Sequence, residues 1–84
     1  MLVWERFNDD EGDETWFTEW HDIDRIALIK KTQRAKHWAV IVGTTTDAEY
    51  TGTAATLSHA KAKAMRYMML IINDADTEVL KWKI

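Results

Sequence analysis

Cysteine and proline are absent from this chain of 84 residues, glycine occurs three times and serine once. Without cysteine there is no disulfide scaffold and no thiolate zinc site. No apolar run approaches the roughly 18 residues of a membrane-crossing helix. The opening residues Met1-Leu2-Val3-Trp4-Glu5-Arg6 lack the apolar stretch of a signal peptide. There is no glycine-rich phosphate loop, no dinucleotide fingerprint and no His-Glu-x-x-His motif. Ser58 falls where a helix begins and reads as part of its cap, not as a nucleophile. A chain this short buries only about 60–65% of the surface it exposes when unfolded, which leaves little volume for a catalytic pocket. These absences point to a small cytoplasmic domain with no cofactor, no metal and no membrane segment, and away from an enzyme.

What is present is apolar and aromatic. Hydrophobic residues make up 46% of the sequence and five tryptophans are among them, a composition unlike that of disordered chains. The length fits one domain over residues 1–84. The formal net charge of −3 is the remainder of a larger split. Residues 1–24 hold nine acids against Arg6 alone, a balance of −8, whereas residues 25–84 hold ten bases and five acids, a balance of +5. A chain divided in this way either neutralises itself on folding or offers one sign to a partner.

Along the chain, residues 2–7 read as a short strand and residues 8–14 as an acidic loop around Gly12. Residues 15–20 alternate, with Trp16, Thr18 and Trp20 on one face and Phe17, Glu19 and His21 extending the other. The run Ile26-Ala27-Leu28-Ile29 fits a strand covered on both sides, although residues 22–31 also match a helical period. Residues 37–45 are β-branched and aromatic, and residues 48–53 return after a turn at Thr46-Asp47. From about 57 to 73 the pattern is helical. Leu57, Ala60, Ala64, Tyr67, Met68 and Ile71 share an arc of about 80°, with Thr56 or Ser58 as cap. Residues 78–84 alternate as a closing strand. The expected architecture is α+β: a three- to four-stranded antiparallel sheet, one amphipathic helix packed on it, and a C-terminal strand.

Two surfaces compete as the functional one. The first combines the acidic loop (Asp9, Asp10, Glu11, Asp13, Glu14) with Trp4, Trp16 and Trp20, and adds Met65 and Met69 on a helix flank that one sheet cannot cover. Tryptophan concentrates binding energy because it brings a large area with few rotors to freeze. This surface points to a protein partner, a bacterial host protein among the candidates, or to a second copy of the chain. A related idea is that the acidic segment imitates nucleic-acid phosphates. The second surface is basic: Arg25, Lys30, Lys31, Arg34 and Lys36 in one stretch, with His59, Lys63 and Arg66 on the helix. It points to nucleic acid, opposed by the eight acids between Asp9 and Asp24. A calcium loop is a poor fit, since aligning Gly12 with the EF-hand glycine puts Phe7 and Thr18 where carboxylates are required. His21, Asp22 and Asp24 place an imidazole beside two carboxylates, but His37 and His59 lie in other elements.

The segment Thr56-Leu57-Ser58-His59-Ala60-Lys61-Ala62-Lys63-Ala64, following a Trp-centred strand and a Gly-containing strand, resembles small single-domain proteins encoded by bacteriophages. That group includes host-directed inhibitors such as anti-CRISPR proteins. The resemblance covers nine residues and a topology. It implies no catalytic residues; it implies a compact domain, in a host cytoplasm, that binds a protein and blocks it. The expected function is therefore a non-enzymatic protein-binding module acting through an aromatic and acidic surface, with nucleic-acid binding through the basic segment as the alternative.

Overall fold

The structure, a computed structural model, describes residues 3–32 and 34–82, with the backbone alone for 74–82. Five strands, β1 (Glu5–Asn8), β2 (Glu14–Trp20), β3 (Arg25–Lys31), β4 (Trp38–Gly43) and β5 (Ala48–Ala54), precede one helix, α1 (Leu57–Trp82). The strands form a single antiparallel sheet in chain order, so the α+β class holds. The sheet is wider than the three or four strands expected. The short strand expected within residues 2–7 is present as β1, displaced to Glu5–Asn8, and it joins the sheet by pairing with β2 along all four of its residues.

The ends of two elements also differ from expectation. No strand occupies residues 78–82, because α1 continues through Trp82; Lys83 and Ile84 lie outside the described residues. The reason is the lack of a stop signal. The chain has no proline and no glycine after Gly52, and Ala75, Glu78, Leu80 and Lys81 are good helix formers. Within residues 22–31 the strand reading prevails over the helical one. A 3-10 turn at His21–Ile23 ends on Asp24 in the left-handed region (φ 53°, ψ 51°), a conformation that short polar side chains tolerate and that no helix continues. β3 then starts at Arg25, whose guanidinium donates to the Ile23 and Asp24 carbonyls at 2.9 and 3.3 Å.

Register assigns every strand residue to a face. One face carries Trp16, Thr18 and Trp20 of β2, Ala27 and Ile29 of β3, Trp38, Val40 and Val42 of β4, and Tyr50, Gly52 and Ala54 of β5. Helix α1 lies on this face. Ala60, Ala64, Met68 and Ile71 are buried with Ala27, Ile29, Trp38, Val40 and Val42 as one core, while Leu57 and Tyr67 pack against it. The arc read from the sequence is thus the buried stripe, and its two alanines let the helix approach the sheet closely. Thr56 caps α1, its hydroxyl accepting the His59 N–H at 3.2 Å.

Two glycines mark close approaches. At Gly43 a β-bulge places two β5 residues against one of β4, and a Cβ there would stand 2.1 Å from the Asp47 carbonyl oxygen. At Gly52 a Cβ would meet the Tyr67 hydroxyl at 2.4 Å, so the missing side chain is what seats Tyr67 over β5. Tyr67 also stacks on Tyr50, with ring centroids 5.2 Å apart.

Helix α1 reaches over β5 as well as onto the sheet. The Thr44 N–H donates to the Asp47 carbonyl across the β4–β5 turn at 2.9 Å. Residue 44 therefore faces β5, and so do Val42, Val40 and Trp38, which leaves the backbone groups of Thr51 and Thr53 facing away from the sheet. Both carbonyls are taken by the helix: the Lys63 ammonium donates to Thr53 at 2.7 Å and the Tyr67 hydroxyl to Thr51 at 3.3 Å.

Candidate functional site

Trp4 and Trp16 were expected to form part of an open aromatic and acidic surface; both are half-buried against the core. The Lys61 ammonium stands 4.0 Å from the Trp16 ring centroid and 5.9 Å from that of Trp4. The Trp16 indole N–H donates to Glu14 Oε2 at 2.8 Å, and the other oxygen of that carboxylate accepts from the Arg6 guanidinium at 3.3 Å. The indole N–H, followed by Arg6, holds the Glu14 carboxyl below the usual range. Trp20 packs against the other end of the core. Through Lys61, Trp4 and Trp16 link the residues before β1 and strand β2 to the helix.

The acidic loop is ordered by its own chain. Asp9 Oδ1 accepts the N–H groups of Glu11 and Asp13 at 3.0 and 2.9 Å, a turn typical of aspartate. The Lys30 ammonium of β3 contacts Asp9 Oδ2 and stands 3.6 Å from buried Asp13. The Lys30 hydrogen bond, followed by the backbone N–H of Asp13, lowers the Asp9 pKa, and the same contact with Asp9 raises that of Lys30. Asp10 and Glu11 remain exposed. Among the described residues, no group of three or more His, Asp or Glu side chains is placed to hold a metal ion.

The basic candidates are largely committed within the fold. Arg25 pairs with Glu49, Lys30 with Asp9 and Asp13, and Lys63 with the Thr53 carbonyl. Lys31 lies over the Trp38 ring at 5.7 Å. Arg34, Lys36, His59 and Arg66 are exposed. Because a meander alternates its turns, the β3–β4 loop carrying Arg34 and Lys36 shares one end of the sheet with the acidic β1–β2 loop. The acidic and the basic loop therefore meet at that end.

The apolar surface left open is on the far side of the sheet. Phe7 of β1, Phe17 of β2, Ile26 and Leu28 of β3, and Ile41 of β4 point away from α1, and Phe17, Leu28 and Ile41 are direct cross-strand neighbours. Among the described residues no second layer covers them, and Val3, Phe7 and Ile41 stand 75%, 46% and 38% exposed. This corrects the expectation that Ile26 to Ile29 is covered on both sides: Ala27 and Ile29 are fully buried, whereas Ile26 and Leu28 are half-buried. Alternation sets Phe17 on the face opposite Trp16, but register, which turns a set of alternating residues into one row, is not written in any single strand.

Along the β1–β2 side of this open face, at the end of the sheet that carries the β2–β3 turn, lies a shallow depression of about 600 Å3, lined by Val3, Glu5, Phe17, Thr18, Glu19 and His21. The Thr18 hydroxyl donates to the Val3 carbonyl at 2.7 Å and ties the residues before β1 to β2. The His21 imidazole is 3.4 Å from Glu19. On the helix side, Met65, Met69 and Leu70 are exposed. Met65 and Met69 follow Lys61 at four-residue steps and so continue the flank that faces β2.

No protein-family model matches this chain, and neither do the curated proteins or the solved structures. Among the described residues, no helix is long and apolar enough to cross a membrane.

Proposed function

We propose that this chain is a non-enzymatic protein-binding module that engages its partner through the sheet face opposite α1. The observation that carries this reading is the cross-strand row Phe17–Leu28–Ile41, flanked by Phe7 and left without a second layer among the described residues. A contiguous apolar surface of this kind is a usual mark of an interaction site. Five strands about 4.8 Å apart, four to seven residues long, give the face a footprint of roughly 500 Å2, room for a segment of a partner. The likeness of residues 56–64 to phage-encoded inhibitors adds a direction, that binding blocks the partner. Nucleic-acid binding is the weaker reading, because Arg25, Lys30 and Lys63 are already engaged inside the fold.

The test compares capture by the native chain with capture by Phe7→Glu and Ile41→Glu, two exposed positions whose substitution leaves the core untouched. Loss of an identified partner by both variants, with unchanged circular dichroism, supports the face. Retention by both removes it. Retention of mixed DNA or RNA on a filter at about 50 mM salt, where phosphate contacts are strong, would favour the nucleic-acid reading instead.

A further inference from the structure

We infer that the partner reaches the acidic end of this sheet face with a basic side chain, a lysine or arginine carried on an extended segment with apolar neighbours. The inference rests on the reading of the open face as a docking surface and specifies the chemistry that face selects. The depression beside the β2–β3 turn is lined by apolar Val3 and Phe17 and by two carboxylates, Glu5 and Glu19. Glu5 and Phe17 are cross-strand partners. An aliphatic stem laid over Phe17 therefore ends beside carboxylates, which is how lysine and arginine bury their methylenes while keeping the charge solvated.

The charges around the depression are of one sign. Among the described residues, Glu5, Asp22 and Asp24 have no basic partner, and Glu19 has only the exposed His21 imidazole 3.4 Å away. The nearest guanidiniums are spoken for, Arg6 by Glu14 and Arg25 by Glu49. At the opposite end of the same face Lys30 is neutralised by Asp9 and Asp13. The uncompensated potential is thus negative and sits beside the apolar row, which attracts cationic segments and repels phosphates.

A second copy of the chain suits this face poorly. Two copies meeting face to face would set the unpaired carboxylates of this face, Glu5 among them, toward carboxylates, and like charges in contact disfavour association.

The test is a titration of the isotopically labelled protein, followed through its amide spectrum, with a hexapeptide of alternating arginine and leucine and with its glutamate-for-arginine counterpart. The arginine peptide is expected to shift Val3, Glu5, Phe17, Glu19 and His21 saturably, and the glutamate peptide is not. Glu5→Gln combined with Glu19→Gln, both at solvent-facing positions, should weaken the arginine peptide about threefold to tenfold, the sum of two exposed ion pairs. An unchanged spectrum elsewhere in that variant confirms its fold. Equal shifts from both peptides would overturn the charge preference while leaving the face a docking surface. Absence of shifts with the arginine peptide at millimolar concentration, when Ile41→Glu still abolishes partner capture, would overturn the inference and spare the broader reading. Loss of neither capture nor shifts in any of these variants would overturn both.

Discussion

The Lys61 ammonium lies 4.0 Å from the centroid of the Trp16 ring, joining the second turn of α1 to the strand β2. This contact brings the helix to the side of the sheet that its apolar stripe does not reach, since Ala60, Ala64, Met68 and Ile71 bury themselves with residues of β3 and β4. Replacing Lys61 by methionine keeps most of the stem and removes the charge. It should cost about 1 kcal/mol, the worth of a partly exposed cation–π contact. Lys61→Arg should cost less. Urea denaturation followed by tryptophan fluorescence measures both.

Met68 and Met69 are neighbours in the chain with opposite surroundings, one fully buried and one exposed. Met68→Ala should destabilise by about 2–5 kcal/mol, through lost transfer energy and the cavity left behind. Met69→Ala should stay within about 0.5 kcal/mol of the parent. Similar costs for the two would mean that the helix is rotated on the sheet.

Gly43→Ala forces a methyl group against the Asp47 carbonyl, a backbone atom that cannot turn aside. The β4–β5 bulge must open to admit it, at about 2–3 kcal/mol, the upper part of the overpacking range. Gly52→Ala meets a hydroxyl at the tip of a side chain instead. It should cost less and loosen the Tyr50–Tyr67 stack, which near-ultraviolet circular dichroism would detect.

Acid weakens the fold through Asp9 and Glu14. Both carboxyls are lowered in the folded state, Asp9 chiefly by the Lys30 hydrogen bond and Glu14 chiefly by the Trp16 indole N–H. Their stabilisation is complete above the unfolded values near pH 4 and disappears as pH falls through the lowered folded ones. The raised pKa of Lys30 acts at the other extreme, its contribution fading only as pH rises through the folded value. Asp9→Asn combined with Glu14→Gln should flatten the acid limb of a stability–pH curve, and an unchanged slope would remove these two groups as its origin.

The sequence carried the local elements well, because β-branched runs and a 3.6-residue stripe are properties of single segments. The strands at 15–20, 25–31, 37–45 and 48–53 all have counterparts in β2 to β5, and the six residues of the helical arc face the sheet. Its failures concern termination and partnership. The alternation over 78–84 suggests a strand only if the helix has stopped, and no residue after Gly52 stops it. Trp16 and Lys61 are 45 positions apart, and nothing local to either shows that one will quench the exposure of the other. The open apolar row likewise depends on three registers at once, one residue from each of β2, β3 and β4. Single-strand alternation names the members of that row without showing that they align.

The two helix side chains resting on the Thr51 and Thr53 carbonyls have a further effect. Edge strands invite the addition of other chains through their unpaired backbone groups, and here one of the two margins is already taken from within. Among the described residues the β1 margin carries no comparable helix contact, which makes it the more open of the two to a foreign strand. Two copies joined there would make a sheet of twice the width with a closed margin on either side, and growth would end at that step. A ribbon needs every copy to offer two free margins, and Lys63 and Tyr67 obstruct one of them here.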